Sequence, residues 1–134
     1  MISKLATALI LNPKNQLLLV KRRKETAVLP DKWGYPGGTI ELGQTIEEAI
    51  HAEVKPETGF DVKISKIGKE CEIHAGNKMI IAIPVLCRTE TSEVTLDFEH
   101  TDFKWINPKD LLLFDLGVPR NEVVDMVGSV GLNL

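Results

Sequence analysis

Cysteine is nearly absent from this 134-residue chain, which holds only Cys71 and Cys87. Two thiols cannot build a disulfide framework, and neither has a Cys or His at zinc-ligand spacing. Both are expected as reduced, core-facing side chains of a cytoplasmic protein. Long apolar runs are missing too. The opening stretch MISKLATALILNP is stopped by Asn12-Pro13, too short for a membrane span and without a cleavage-site pattern, so it reads as a first strand. No sustained basic stripe occurs, net charge is −3 and the isoelectric point is near 5.6, which argues against broad binding to duplex nucleic acid. A mildly acidic protein can still handle phosphate esters where divalent cations mediate the contact. Linkers, internal repeats and low-complexity tracts are likewise absent. With 43% hydrophobic and 26% charged residues, the chain reads as one soluble globular domain over residues 1–134.

What is present is a regular succession of elements. KLATALILN and QLLLVKR are apolar runs of strand formers around the turn signal PKN, which predicts a hairpin. RKETAVLPDKWGYPGG follows as a long polar loop ending in two glycines. Thr45 with Glu48 has the form of a capping box and Gly59 is a natural stop, so a helix is predicted between them, with Ile46, Ala49, Ile50 and Val54 as its apolar stripe. FDVKISKIGKECEIH and KMIIAIPVLCRTE suggest a second hairpin around AGN, and VTLDF and FKWIN are short strand candidates. Asn107-Pro108 suits the start of a short helix, and RNEVVDMV a last helix closed by Gly128. Strands around one central helix, with helices at the end, predict a mixed α/β sandwich. Trp33, Tyr35, Phe98, Phe103 and Trp105 offer either a stacking surface or plain packing. His51, His74 and His100 show no metal spacing and receive no role.

The chemistry concentrates in residues 37–60. Glu53 and Glu57 stand four apart, so a helix projects both from one face, where they can share a hard divalent cation or form a solvated acidic face. Gly37 and Gly38 precede them and let backbone approach a ligand closely. Taken together, the segment resembles the box of the Nudix hydrolase family, Gly-x5-Glu-x7-Arg-Glu-U-x-Glu-Glu-x-Gly-U with U apolar. It matches at Gly38, Glu53, Val54, Glu57, Gly59 and Phe60, and departs at Gln44, Ala52 and Pro56. LLLVKR, WGYPGG, Glu41 before Gly43, and FEHTDFKWINPKDL extend the likeness over nearly the whole chain.

The resemblance implies a Nudix-type α/β/α sandwich with a mixed sheet and a central box helix. It also implies hydrolysis of a nucleoside diphosphate linked to a further group, or of a (d)NTP, by water under Mg²⁺ or Mn²⁺. The implied metal ligands are Glu53, Glu57, Glu99 and the Gly37 carbonyl, with Glu53, Glu57 and Glu99 as the catalytic acids. Gly38, Arg22 and Arg23 are the implied substrate-binding positions, the two arginines toward phosphate oxygens. The implied partner is a small nucleotide, and dimers are common in the family, which leaves a homodimer open. The three departures thin the site, so a non-catalytic nucleotide or phosphometabolite binding module on the same scaffold stands as the alternative. Pro56 lacks the N–H that would bond the Ala52 carbonyl, and its ring crowds that carbonyl; the helix is therefore expected to end or bend near Lys55.

Overall fold

The computed structural model describes residues 3–134. Its centre is a mixed sheet. Strand β1 (Lys4–Leu11) runs parallel to β7 (Lys78–Arg88) over its whole length and pairs antiparallel with β4 (Gly37–Thr39) at its start. Strand β2 (Leu17–Arg22) lies between β3 (Trp33–Gly34) and β8 (His100–Ile106), while β5 (Lys63–Ile67) and β6 (Cys71–Ala75) both pair with β7. Among the described residues no helix is long and apolar enough to cross a membrane.

Side-chain alternation along β1 and β2 creates the layers. Ala6, Ala8, Ile10, Leu18 and Val20 face helix α1 (Ile46–Thr58), where they meet Ala49, Ile50 and Val54. Leu9, Leu11, Leu17 and Leu19 face the opposite side and pack with Leu111, Val123, Met126 and Val127 of a short 3-10 turn (Pro108–Leu113) and helix α2 (Arg120–Gly128). A strand buried on both faces reads as a continuous apolar run, as LLLV does. Each fully buried Leu, Ile or Val contributes roughly 1.5–3 kcal/mol of transfer free energy. The arrangement is the expected α/β/α sandwich.

Three local expectations are corrected. The first two strands touch as a hairpin only at Leu11–Leu17, beside the turn that Asn12 closes, and then part; β1 is claimed by β7, a partner distant in sequence. VTLDF forms no strand: Val94 and Leu96 pack against the α1 core while Thr95 N–H donates to the Thr58 carbonyl at 3.0 Å. The central helix does not end at Lys55 but continues through Pro56 to Thr58, capped by Gly59 at φ 84°. Its last turn is held by tertiary packing. Glu57 and Thr58 are buried, Thr58 Oγ1 donates to the Val54 carbonyl at 2.8 Å, and Gly59 N–H donates to the Lys55 carbonyl. Ala52 and Pro56 both lie on the exposed side, where water can take the carbonyl that the proline leaves free.

Candidate active site

A cavity of about 540 Å³ opens where the glycine loop, the start of β1, α1 and α2 meet. Its charged end is built from the loop and α1. The capping box predicted from Thr45 and Glu48 is formed in both directions, at 3.1 and 2.9 Å, which fixes where the helix begins and hence which face Glu53 and Glu57 share. Both line the cavity. Glu57 is only 7% exposed, and its Oε1 accepts the Gly37 N–H at 3.1 Å. Gly37 is held in turn as the partner of Thr7 in the β4–β1 ladder, so the loop and the helix carboxylate have a common anchor.

The two glycines are demanded by space. A Cβ on Gly37, at φ 149°, would stand 2.1 Å from the Ala6 carbonyl oxygen, and one on Gly38 would stand 2.5 Å from the Glu53 carboxyl carbon. Backbone therefore lies directly against both the strand and the acid.

Burial pushes the Glu57 carboxyl up to about 8; the Gly37 N–H opposes the rise, and the Glu53 carboxyl and the Asp97 charge add to it. A desolvated carboxyl beside a second one holds its proton until a cation replaces it. Glu99 also lines the cavity, and Arg22 enters it with its guanidinium tucked beneath Gly34. Burial lowers the Arg22 pKa, while Glu57 and Glu99 pull it back. Arg22 Nε is buried without a hydrogen-bond partner, a cost of about 1–3 kcal/mol that an anionic ligand would relieve.

Among the described residues, no three His, Cys, Asp or Glu side chains gather tightly enough to enclose a metal ion by themselves. What the fold supplies is the Glu53–Glu57 pair. That suits a hard cation such as Mg²⁺ or Mn²⁺, which keeps several waters and takes substrate phosphate oxygens as further ligands.

Of the residues singled out in sequence, Gly37, Gly38, Arg22, Glu53, Glu57 and Glu99 come together on this cavity. Arg23 does not join them: its Nε donates to the Phe98 carbonyl at 2.9 Å, and its guanidinium lies over the Phe98 ring. Gln44 accepts the Glu41 N–H within the loop. Of the aromatics, Trp33 and Tyr35 line the cavity, whereas Trp105 packs on Phe60 at 6.1 Å in the α1 core.

Two features escaped the sequence. The cavity also has an apolar lining, with Ile73, Ile80, Val118, Val123 and Met126, and Tyr35, which lines it too, has its hydroxyl buried and unpartnered. Burial also raises the Tyr35 pKa, so it stays a neutral phenol. The second is a buried contact between His100 Nδ1 and Asp97 Oδ1 at 2.7 Å, beside Glu99. The Asp-x-x-His spacing was its one visible sign.

Comparison with known proteins identifies the family and the fold. A family model described as NUDIX domain matches residues 3–127. A nucleoside triphosphatase NudI from Escherichia fergusonii is 30% identical over 122 residues, covering 83% of this chain and 86% of the relative. The crystal structure of a MutT protein from Methanosarcina mazei Go1 superposes with a TM-score of 0.82 at 25% identity, covering 95% of this chain and 91% of that one. A C. elegans Ap4A hydrolase in a binary complex shares the fold at a TM-score of 0.69 and 21% identity, over 84% of this chain and 85% of that one.

Proposed function

The chain belongs to the Nudix family, and from that premise we propose that it is a divalent-metal-dependent pyrophosphohydrolase of nucleotides, with a nucleoside triphosphate as the preferred substrate class. One observation carries the reading: a single cavity is lined both by carboxylates and one arginine and by apolar side chains of the α2 side of the sheet. A nucleotide has the same division. Its phosphates suit the carboxylates and the arginine, and a flat base suits the apolar side chains and the Trp33 and Tyr35 rings. A second sugar would bring several hydroxyls against an apolar lining that has few partners for them. The relative named a nucleoside triphosphatase favours the same class.

In this reading Glu53 and Glu57 hold Mg²⁺ or Mn²⁺, which neutralises phosphate charge and makes bound water more acidic. Arg22 lines the cavity beside the acids and supplies positive charge to the phosphates; its buried Nε comes within reach of a phosphate oxygen once the guanidinium shifts toward the ligand. Glu57 would give up its proton where a cation is held. Glu99, which also lines the cavity, would serve as a further ligand or as the acceptor of the attacking water's proton. Gly38 keeps the wall thin where Glu53 stands, so the carboxylate and the phosphate can approach. The bond that breaks is a phosphoanhydride, and such reactions depend mainly on positioning and charge.

The alternative, a nucleotide-binding module without turnover, draws on Gln44, Ala52 and Pro56. The test is phosphate, pyrophosphate and nucleoside monophosphate release from a panel of nucleoside triphosphates, dinucleoside polyphosphates and nucleotide sugars with Mg²⁺ or Mn²⁺. Metal-dependent release that collapses in Glu53→Gln supports hydrolysis. Tight binding with no product from any of them supports the module.

A further inference from the structure

Arg22 and Arg23 are neighbours in the chain, yet only Arg22 reaches the cavity. The register between β2 and β8 shifts at this point, so that Lys21 pairs with Asp102 and Arg22 with His100. Beyond the shift, Arg23 turns to the short loop that carries Glu99. Its backbone N–H donates to the Glu99 carbonyl and its Nε to the Phe98 carbonyl, each at 2.9 Å. Its guanidinium lies 4.6 Å from the centre of the Phe98 ring. Arg23 is itself anchored, because the Thr26 N–H and hydroxyl both donate to its carbonyl, at 3.1 and 2.9 Å. On the other side, Asp97 and His100 bridge the base of the loop, and His100 is only 5% exposed.

Glu99 is thus held at its own carbonyl and at the preceding one, by a single arginine, within a loop closed at its base. A carboxylate on an unheld loop would sample many orientations, and a misplacement of about 1 Å in a reacting group can cost on the order of 100-fold in rate. We propose that Arg23 is a positioning residue whose side chain locks the Phe98–Glu99 peptide, beside the main-chain bond to the Glu99 carbonyl, so that the Glu99 carboxylate faces the cavity, and that it does not itself meet the substrate. This rests on the reading of Glu99 as a group that acts at the phosphates. A lysine would keep the charge but lose both the Nε–H and the planar group that stacks on Phe98.

The test compares wild type, Arg23→Ala, Arg23→Lys, Glu99→Gln and the Arg23→Ala/Glu99→Gln double variant. Amide hydrogen exchange at residue 23, whose N–H donates to the Glu99 carbonyl, needs no substrate. It is expected to quicken at least about 10-fold in Arg23→Ala and in Arg23→Lys, with α1 unchanged. In hydrolysis of the best triphosphate, Arg23→Ala is expected to lower kcat on the order of 10-fold with KM within about twofold. Arg23→Lys should not rescue it, and Glu99→Gln should absorb the effect so that the double variant is no slower. Unchanged exchange at residue 23 overturns the proposal. So does a raised KM that lysine restores, the signature of a direct phosphate contact, and so do losses that multiply in the double variant. If wild type turns over nothing, the hydrolase reading falls, and exchange at residue 23 alone decides whether Arg23 is the clamp.

Discussion

The inner and outer faces of α1 have been treated very differently by this sequence. On the inner face Ala49, Ile50 and Val54 are fully buried, and Glu53 and Glu57 look into the cavity. On the outer face Ala52 and Pro56 are exposed and do not line the cavity. Two of the three departures from the family's box are therefore exposed positions outside the cavity lining, with Pro56, three residues on from Glu53, beside its rim; the third, Gln44, is spent on a hydrogen bond inside the loop. A motif read as a string counts these positions equally. Read on the helix, the substitutions leave the two cavity acids in place, together with the glycine backbone against which they pack.

That contrast can be broken by changing each face in turn. The largest effect is expected from the inner face: Glu53→Gln should lower turnover by about 100-fold or more while changing stability little, because its charge acts on the reacting phosphates. Steady-state kinetics alongside a thermal melt checks this. Gly38→Ala should follow, at roughly 10-fold. The new Cβ would overlap the end of the Glu53 side chain, which can swing aside, so the fold survives and the aim of the acid is lost.

Next comes a pH effect. With Glu57 raised from 4.5 to about 8 by burial, the folded chain keeps a proton that the unfolded chain has released. Stability of the metal-free protein should therefore fall as pH rises through that window, and Glu57→Gln should flatten the fall. Melts in chelator at a series of pH values show this, and parallel curves for the two proteins would count against it.

The outer face should give the smallest changes. Pro56→Ala restores a helix donor, and up to about 3 kcal/mol of stability is expected back, less to the extent that the exposed Ala52 carbonyl is already hydrated. Turnover should move less than about twofold. Pro56→Glu adds a carboxylate at the rim, for which a few-fold gain in metal affinity is expected.

The two faces also mark what could be read from sequence. The bounds of α1 were legible because Thr45, Glu48 and Gly59 act locally, through hydrogen bonds and backbone angles set within a few residues. Its persistence through Pro56 was not, since the contacts that hold Glu57 and Thr58 come from the glycine loop and from Thr95. The pairing of β1 with β7 was hidden for the same reason: alternation says that a strand is buried, not which distant strand lies beside it. Glu53 and Glu57 were singled out by their spacing and Glu99 by the family resemblance, and the fold brings all three to one cavity. Arg23 was grouped with Arg22 because a register shift between β2 and β8 leaves no trace in composition. Tyr35 and the Asp97–His100 contact acquire meaning only once loops close over a cavity.

The central claim is that the inner face of α1 still binds metal despite the altered box. Calorimetric titration of the metal-free protein with Mn²⁺ tests it most directly, with wild type, Glu53→Gln and Pro56→Glu run side by side at neutral pH in two buffers of different ionisation enthalpy. Wild type is expected to bind and to release a proton from Glu57, Glu53→Gln to bind at least about 10-fold more weakly, and Pro56→Glu to gain only a few-fold. Binding that Glu53→Gln leaves untouched, or that appears only once Pro56→Glu is made, would contradict the account.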